Sequence, residues 1–274
     1  MRISRTFGVT LSCAAIALAA TACGSSAKSS SAAPAASPAA PSAASSGAAS
    51  SAPSADTSGG PDLSTMSADQ ILKASETALT GAQAVKIDMT IAGTGGEQKV
   101  KLATDNRSGC TGTISMPGKG SADVIQDKSK TTYLKPDDTY WASLGGAKAV
   151  AALHGKWVSG PVTDPTVAGM VGFCDLKALS SQMDDGSEKP TKGQATTLNG
   201  QPAQTLQEVA SDGTKSTLWV STKGKPYPLQ ATGGNGTGGT DKITLTDYDV
   251  PVTVTAPPAD QVIDAAKLKA LTGH

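Results

Sequence analysis

Apolar and polar residues alternate along many short stretches of this chain, and each stretch predicts a β-strand with one buried face. The clearest is 85–91, in which Val, Ile and Met alternate with Lys, Asp and Thr. Similar patterns predict strands at 100–102, 110–116, 121–126, 131–135, 194–198, 201–209, 214–221, 226–232 and 242–248. The sequence therefore predicts a sheet of about ten strands.

Turn residues between these stretches predict antiparallel neighbours. Asn199-Gly200 is the strongest hairpin signal in the chain, because both residue types tolerate the positive φ angles of a tight turn. Asp212-Gly213 predicts a second hairpin. Connections this short exclude a parallel sheet, which needs a crossover of about a dozen residues between paired strands.

Helices are predicted before, between and after the strands. Ser67 and Gln70 have the spacing of a capping box before an apolar stripe, and Gly81 is placed to end that helix. Between 136 and 185 the alternation is lost. In this middle section we expect a helix capped by Asp138, short helices at 147–153, 165–173 and 175–183, and a brief extended piece at 155–158. A closing helix is predicted at 260–271.

These elements predict one α+β domain at 67–274. Antiparallel strands with one covered face, together with segregated helices, are typical of this class. A sheet of this size tends to curl. We therefore expect a curled antiparallel half-barrel whose concave face holds the helices.

The first 24 residues have the pattern of an export signal. Two arginines precede an apolar run that ends at Ala20 and is shorter than the roughly 20 residues of a spanning helix. Small residues then lead to Cys23, and this arrangement resembles the lipobox of bacterial lipoproteins. In that case the signal peptide 1–22 is removed and Cys23 is lipidated. The alternative is an ordinary secreted protein cleaved near Ala22.

The segment 23–66 consists almost entirely of Ser, Ala, Pro and Gly after the lipidated cysteine, and it predicts a disordered tether. Loss of Arg2 and Arg5 with the signal reduces the 23 basic residues to 21, against 23 acidic ones. A nearly neutral chain without clustered Lys and Arg excludes nucleic-acid binding. We expect membrane attachment through acylated Cys23, on the extracytoplasmic face of the cell membrane.

Cys110 and Cys174 are the cysteines that remain after Cys13 leaves with the signal and Cys23 carries lipid. In an oxidising compartment such a pair most often forms a disulfide. The alternative is a metal-binding or catalytic pair, which the absence of a neighbouring histidine disfavours. We predict a disulfide.

No pattern in the sequence predicts catalysis. His154 and His274 are the two histidines, and the motifs of serine hydrolases, zinc proteases and phosphate-binding loops are absent. The paired aspartates at 137–138, 184–185 and 247–249 have the spacing of helix caps and turns. We expect no enzymatic activity, no metal and no cofactor.

Five motifs together resemble the LppX/LprG-type lipoproteins of actinobacteria, within the LolA-like superfamily. The most specific is 218–229, LWVSTKGKPYPL, which combines a strand, a glycine turn and a return strand after Pro226. The others are Tyr133-Leu134-Lys135, Gly155-Lys156-Trp157-Val158, Asn199-Gly200-Gln201-Pro202-Ala203 and the ending from Asp247 to Pro258.

The resemblance implies a lipid-binding domain with an apolar cavity for the acyl chains of a lipid or lipoglycan. The expected lining is Ile87, Met89, Ile91, Leu102, Ile114, Leu134, Trp141, Met170, Phe173, Leu176, Leu218 and Val220. It implies a lipoprotein that binds or shuttles lipid at the cell envelope. The alternative is an interaction module with the same fold and no open cavity, which binds a protein or a wall polymer.

Overall fold

A computed structural model of the chain describes residues 59–164, 172–183, 189–234 and 239–272. Its helices are α1 (Ala68–Thr80), α2 (Asp138–Leu153), α3 (Leu176–Met183) and α4 (Ala265–Thr272), and 3-10 turns span Gly172–Cys174 and Ala259–Gln261. Its strands are β1 (Ala84–Gly93), β2 (Gly96–Asp105), β3 (Gly109–Met116), β4 (Gly120–Asp127), β5 (Thr131–Pro136), β6 (Trp157–Pro161), β7 (Thr191–Leu198), β8 (Gln201–Val209), β9 (Lys215–Ser221), β10 (Pro228–Gly234), β11 (Thr240–Thr246) and β12 (Val262–Asp264).

The twelve described strands form one open sheet in the order β12-β6-β5-β4-β3-β2-β1-β11-β10-β9-β8-β7. Every neighbouring pair is antiparallel except β12 and β6. Pairing between β1 and β11 joins an N-terminal and a C-terminal half. The predicted α+β class and antiparallel sheet are confirmed, with twelve strands rather than about ten.

The sheet curls around the helices on its inner face. One buried apolar cluster joins residues of α1 and α3 to nine adjacent strands, from Leu134 on β5 to Leu206 on β8. Nine flat strands would be about 38 Å wide, whereas a helix is about 10 Å across. Two short helices cover this width because the sheet bends around them.

The strand register arranges the inner face in rows of side chains. One row, called here the aliphatic row, crosses eight strands; its members are Leu206, Leu218, Ala231, Ile243, Met89, Val100, Ile114 and Ala122. A second, called here the polar row, contains Thr104, Cys110, Gln126, Thr132 and Gly160. The inner face is therefore apolar across its middle and more polar near one end of the strands.

The N-terminus of α1 forms as the sequence predicts. The hydroxyl of Ser67 accepts a hydrogen bond from Gln70 N, and the Gln70 side chain accepts one from Ser67 N. The helix ends at Gly81, whose N–H donates to Thr77 O. Its buried side chains, including Ile71, Leu72 and Leu79, face the sheet.

The C-terminal part differs from the prediction at the closing helix. The segment 250–255 before it is bound by side chains at the β2–β3 turn: Val252 N donates to Asp105, and Ser108 donates to Val252 O. The predicted helix at 260–271 begins only at Ala265. Before it, Val262–Asp264 pairs with β6 as the short strand β12.

The cap of α2 also differs by one residue. Asp137, not Asp138, caps the helix, and its carboxylate accepts hydrogen bonds from Tyr140 N and Ser121 N. Asp137 therefore fixes the start of α2 to β4. The predicted helix at 147–153 forms the second part of α2.

The end of the predicted tether packs against the domain. Leu63 is buried, and Lys192 Nζ donates hydrogen bonds to the carbonyl oxygens of Leu63, Ser64 and Met66 at 2.6, 2.7 and 3.0 Å. The signal peptide 1–22, Cys23, the tether up to 58 and the segment 165–171 lie outside the described residues. In the described ranges, no helix is both long and apolar enough to cross a bilayer.

Candidate functional site: the inner face of the sheet

Most of the predicted lining residues meet in one buried cluster on the inner face. They are Ile87, Met89, Leu102, Ile114, Leu134, Phe173, Leu176, Leu218 and Val220, with Ile91 half-buried at the margin. Met170 lies outside the described residues. Trp141 is buried in a separate cluster with Leu153, Val158, Ala265 and Leu268, which we call the C-terminal cluster.

The disulfide between Cys110 and Cys174 is present, as the sequence predicts. It links β3 to the 3-10 turn that precedes α3. Thr104 of β2 supports the same turn, because its hydroxyl donates a hydrogen bond of 3.1 Å to Cys174 O. These two links hold Phe173 and Leu176 against the apolar face.

Side chains of the domain fill the inner face near α1. A recess between Leu72, Leu206, Glu208, Ser216 and Leu218 has a volume of about 10 Å³. A cavity of this size holds at most about one water molecule. An alkyl chain therefore fits at this position only after a covering element has moved.

A larger recess, of about 540 Å³, lies on the outer face of β11, β1, β2 and β3. Its lining includes Lys86, Lys101 and Lys242 together with several threonines. Lys86 forms an ion pair with Asp247 at 2.6 Å, and Lys101 forms one with Asp88 at 3.6 Å. Lys, Asp and Thr residues make up most of the lining of this recess, on the face opposite the main apolar cluster.

A third recess, of about 380 Å³, lies where the turns after β7 and β9 approach the end of β11. Tyr227 and Tyr248 stack there with ring centroids 3.9 Å apart. Tyr248 donates a hydrogen bond to Pro228 O, and burial raises the pKa of its hydroxyl. The stack fixes the β9–β10 turn to the strand next to β1.

Asp249 completes this corner. Its carboxylate accepts hydrogen bonds from the Tyr227 hydroxyl at 2.6 Å, from Gln83 N at 2.8 Å and from Lys225 Nζ at 3.0 Å. These donors, Tyr227 above all, lower its pKa to about 2. These hydrogen bonds give Asp249 a structural role, in agreement with its interpretation as a turn residue.

The described residues contain no group of three His, Cys, Asp or Glu side chains close enough to hold a metal ion. His154 binds Asp138, and the Nδ1–Oδ1 distance is 2.8 Å. Lys192 is the most important structural residue that sequence reasoning missed. Its role depends on the N-terminal segment returning across the sheet, and no local pattern indicates that.

Comparison with known proteins gives matches among solved structures only. No protein-family profile matches the chain, and no curated protein matches it significantly. LprF from Mycobacterium bovis is similar at 18% identity, with coverage of 69% of this chain and 96% of LprF and a TM-score of 0.49. LprF is of the LppX/LprG type that the sequence motifs resemble.

Two more distant matches have even lower identity. A LolA superfamily protein from Nitrosomonas europaea is 9% identical, with coverage of 71% and 96% and a TM-score of 0.24. A putative outer membrane lipoprotein-sorting protein domain from Vibrio parahaemolyticus is 11% identical, with coverage of 68% and 94% and a TM-score of 0.27. At these identities no site residue is transferred, and the function has to be argued from this chain's own residues.

Proposed function

We propose that this chain is a membrane-anchored lipoprotein that binds or shuttles the acyl chains of a lipid or lipoglycan at the cell envelope. The observation that supports it most is the aliphatic row, an apolar surface across eight adjacent strands. Such a surface binds hydrocarbon through buried area, at about 0.8 kcal/mol per methylene group.

The elements that cover this surface are short and separately attached. α1 has 13 residues and α3 has eight. Each therefore contributes a limited apolar area, and displacement of one exposes part of the inner face without unfolding the sheet. Lipid binding in this proposal couples to the movement of a cover.

The signal-like N-terminus supports the location of this activity. Lipidation at Cys23 would place the domain at the outer surface of the membrane, at the end of a tether up to residue 58. From that position the domain reaches lipids in the same bilayer or a nearby acceptor. In this proposal the anchor keeps the inner face close to the lipids that it binds.

The close packing near α1 favours a second candidate function. A domain whose inner face stays filled would act as an envelope interaction module that binds a protein or a wall polymer. The recess of about 10 Å³ beside Leu72 and Leu218 is the observation on which this candidate rests.

Native mass spectrometry separates the two functions. Residues 24–274 are purified from a host whose cell envelope supplies lipid to the protein. The proposal predicts a bound mass of lipid size, which disappears when the protein is denatured before measurement. Protein stripped of lipid and then incubated with phospholipid vesicles should regain that mass. A polypeptide mass alone in both experiments would contradict lipid binding and favour the interaction module.

A further inference from the structure

The C-terminal cluster forms a second apolar site at the β6 edge of the inner face. Val158 lies opposite Leu134 in the β5–β6 register, so the two side chains share the inner face of the sheet. Leu134 belongs to the main cluster, whereas Val158 packs with Trp141, Ala265 and Leu268. The two clusters are therefore neighbours on one surface, and α4 covers the second.

Two buried polar atoms, one in this cluster and one on the adjacent strand β5, have no hydrogen-bond partner among the described residues. They are Trp141 Nε1 and Thr132 Oγ1, on side chains that are 1% and 0% exposed. A buried donor without a partner destabilises a folded protein. A bound molecule that reached either atom could supply the partner that the described residues do not.

The strand register and the C-terminal cluster relate both residues to the start of α4. Thr132 is opposite Gly160 in the register, and a Cβ atom on Gly160 would lie 3.4 Å from the Cβ of Ala265. Thr132 is therefore one strand away from the residue that borders Ala265, and Trp141 packs in the same cluster as Ala265. Removal of α4 would uncover an apolar surface bordered by two hydrogen-bonding groups.

The attachment of α4 is weak by comparison with the rest of the sheet. β12, which leads into it, pairs with β6 through three residues only, from Val262 to Asp264. Ala265 and Leu268 are buried, whereas Ala266 and Lys267 are exposed. A short helix that is joined to the sheet through a three-residue strand opens at lower free energy than the long strands of that sheet.

We propose that α4 is a displaceable cover, and that the surface beneath it binds the ester-bearing end of an acyl lipid. Trp141 Nε1 donates to the ester carbonyl, and Thr132 Oγ1 bonds the neighbouring ester or hydroxyl oxygen. The first methylenes of the chain contact Leu153 and Val158, and the rest of the chain continues toward Leu134. This inference rests on the proposed function and names the place of entry and the chemistry recognised.

The geometry provides a direct way to lock the cover. The 3.4 Å separation of the two Cβ positions is close to the roughly 3.8 Å of a disulfide, so Gly160→Cys with Ala265→Cys joins β6 to α4. The probe is oleoyl lysophosphatidylcholine below its micelle concentration, added to residues 24–274. Trp157→Phe and Trp219→Phe leave Trp141 as the sole tryptophan, and its emission reports binding.

We expect at least a tenfold loss of probe affinity in the oxidised lock and full recovery after mild reduction. Ala265→Cys alone, and the unlocked protein in the same reductant, are the controls. Equal affinity of the oxidised and reduced lock would overturn the cover role while leaving lipid binding intact. No binding by the unlocked protein would instead contradict the proposed function itself.

The ester contact has a separate test. The 1-O-alkyl ether analogue of the probe lacks the carbonyl, and we expect it to bind about fivefold more weakly. Thr132→Val should raise the thermal stability of the free protein, because it removes an unpartnered hydroxyl, and should weaken binding of the ester probe. Equal affinity for ester and ether, or unchanged binding by Thr132→Val, would refute the assigned contacts.

Discussion

His154 Nδ1 lies 2.8 Å from Asp138 Oδ1, although these residues stand at opposite ends of α2. A straight helix of 16 residues would be about 24 Å long. α2 therefore consists of two short helices that fold back on each other, with Gly145 and Gly146 as the turn. The prediction of two separate helical pieces in this region is confirmed.

Gly146 makes that turn possible. Its φ of 62° and ψ of −156° fall in a region essentially restricted to glycine. Gly146→Ala should lower the free energy of unfolding by about 1–3 kcal/mol in urea titrations. Gly95→Ala is the control, because a Cβ there meets open space. Equal stability of the two variants would show that Gly146 does not hold the turn.

Lys192 should control the attachment of the N-terminal segment. Lys192→Met removes the ammonium that binds three carbonyl groups, and limited proteolysis should then cleave within 59–66 at least several-fold faster. Lys189→Met, at an exposed position before β7, is the matched control. Identical cleavage rates in both variants would mean that the segment is held by Leu63 alone.

Asp249 should give the domain an acid-sensitive component of stability. Its folded pKa of about 2 is below the usual value near 3.9, so the contribution is present above pH 4 and is lost as the pH falls toward 2. Asparagine is also suited to the φ of 62° at this position. Asp249→Asn should therefore lower the free energy of unfolding by about 1–2 kcal/mol at pH 7, through loss of the carboxylate alone. The cost should shrink between pH 4 and pH 2.

Asp247→Asn is the matched control for that experiment. Asp247 has a similar φ of 51°, but its partner Lys86 is 58% exposed, and an exposed pair contributes about 0–1 kcal/mol. A cost at Asp249 that did not change with pH would exclude ionisation as its origin.

The disulfide should contribute strongly to stability because it closes a long loop. The cysteines are 64 positions apart, and replacing both with alanine should lower the free energy of unfolding by about 2–4 kcal/mol. Reductant should destabilise the native protein and leave the double variant unchanged. If reductant destabilised both proteins equally, its effect would not arise from this disulfide.

The predicted membrane location depends on lipidation of Cys23. Cys23→Ser should prevent lipidation, so that the protein is recovered unacylated and its signal is processed abnormally. Fractionation of envelopes, combined with the intact mass of the protein, measures both effects. A variant that remains membrane-bound and normally processed would disprove the lipobox interpretation.

Local chemistry made part of this fold predictable. Asn199 and Gly200 have φ values of 49° and 83°, the two positive angles of the predicted hairpin turn. Ile87 and Met89 alternate with exposed residues on β1, as their pattern indicates. In both cases a few adjacent residues determine the structure, so the sequence alone was sufficient.

Other features depend on partners that are distant in the sequence. Val262 and Ile263 pair with Trp157 and Val158, and this pairing replaces the first turn of the predicted closing helix. Trp141 falls outside the main cluster for the same reason, because β6 and α4 converge on it. The inner-face rows were not predictable either, because they require the register of every strand pair.

The pairing of β1 with β11 has a consequence for folding. β1 is the first strand of the sheet in chain order, yet one of its two neighbours is nearly the last. Contacts between such distant segments slow folding. The central seam of the sheet therefore closes only when almost the entire polypeptide has been synthesised.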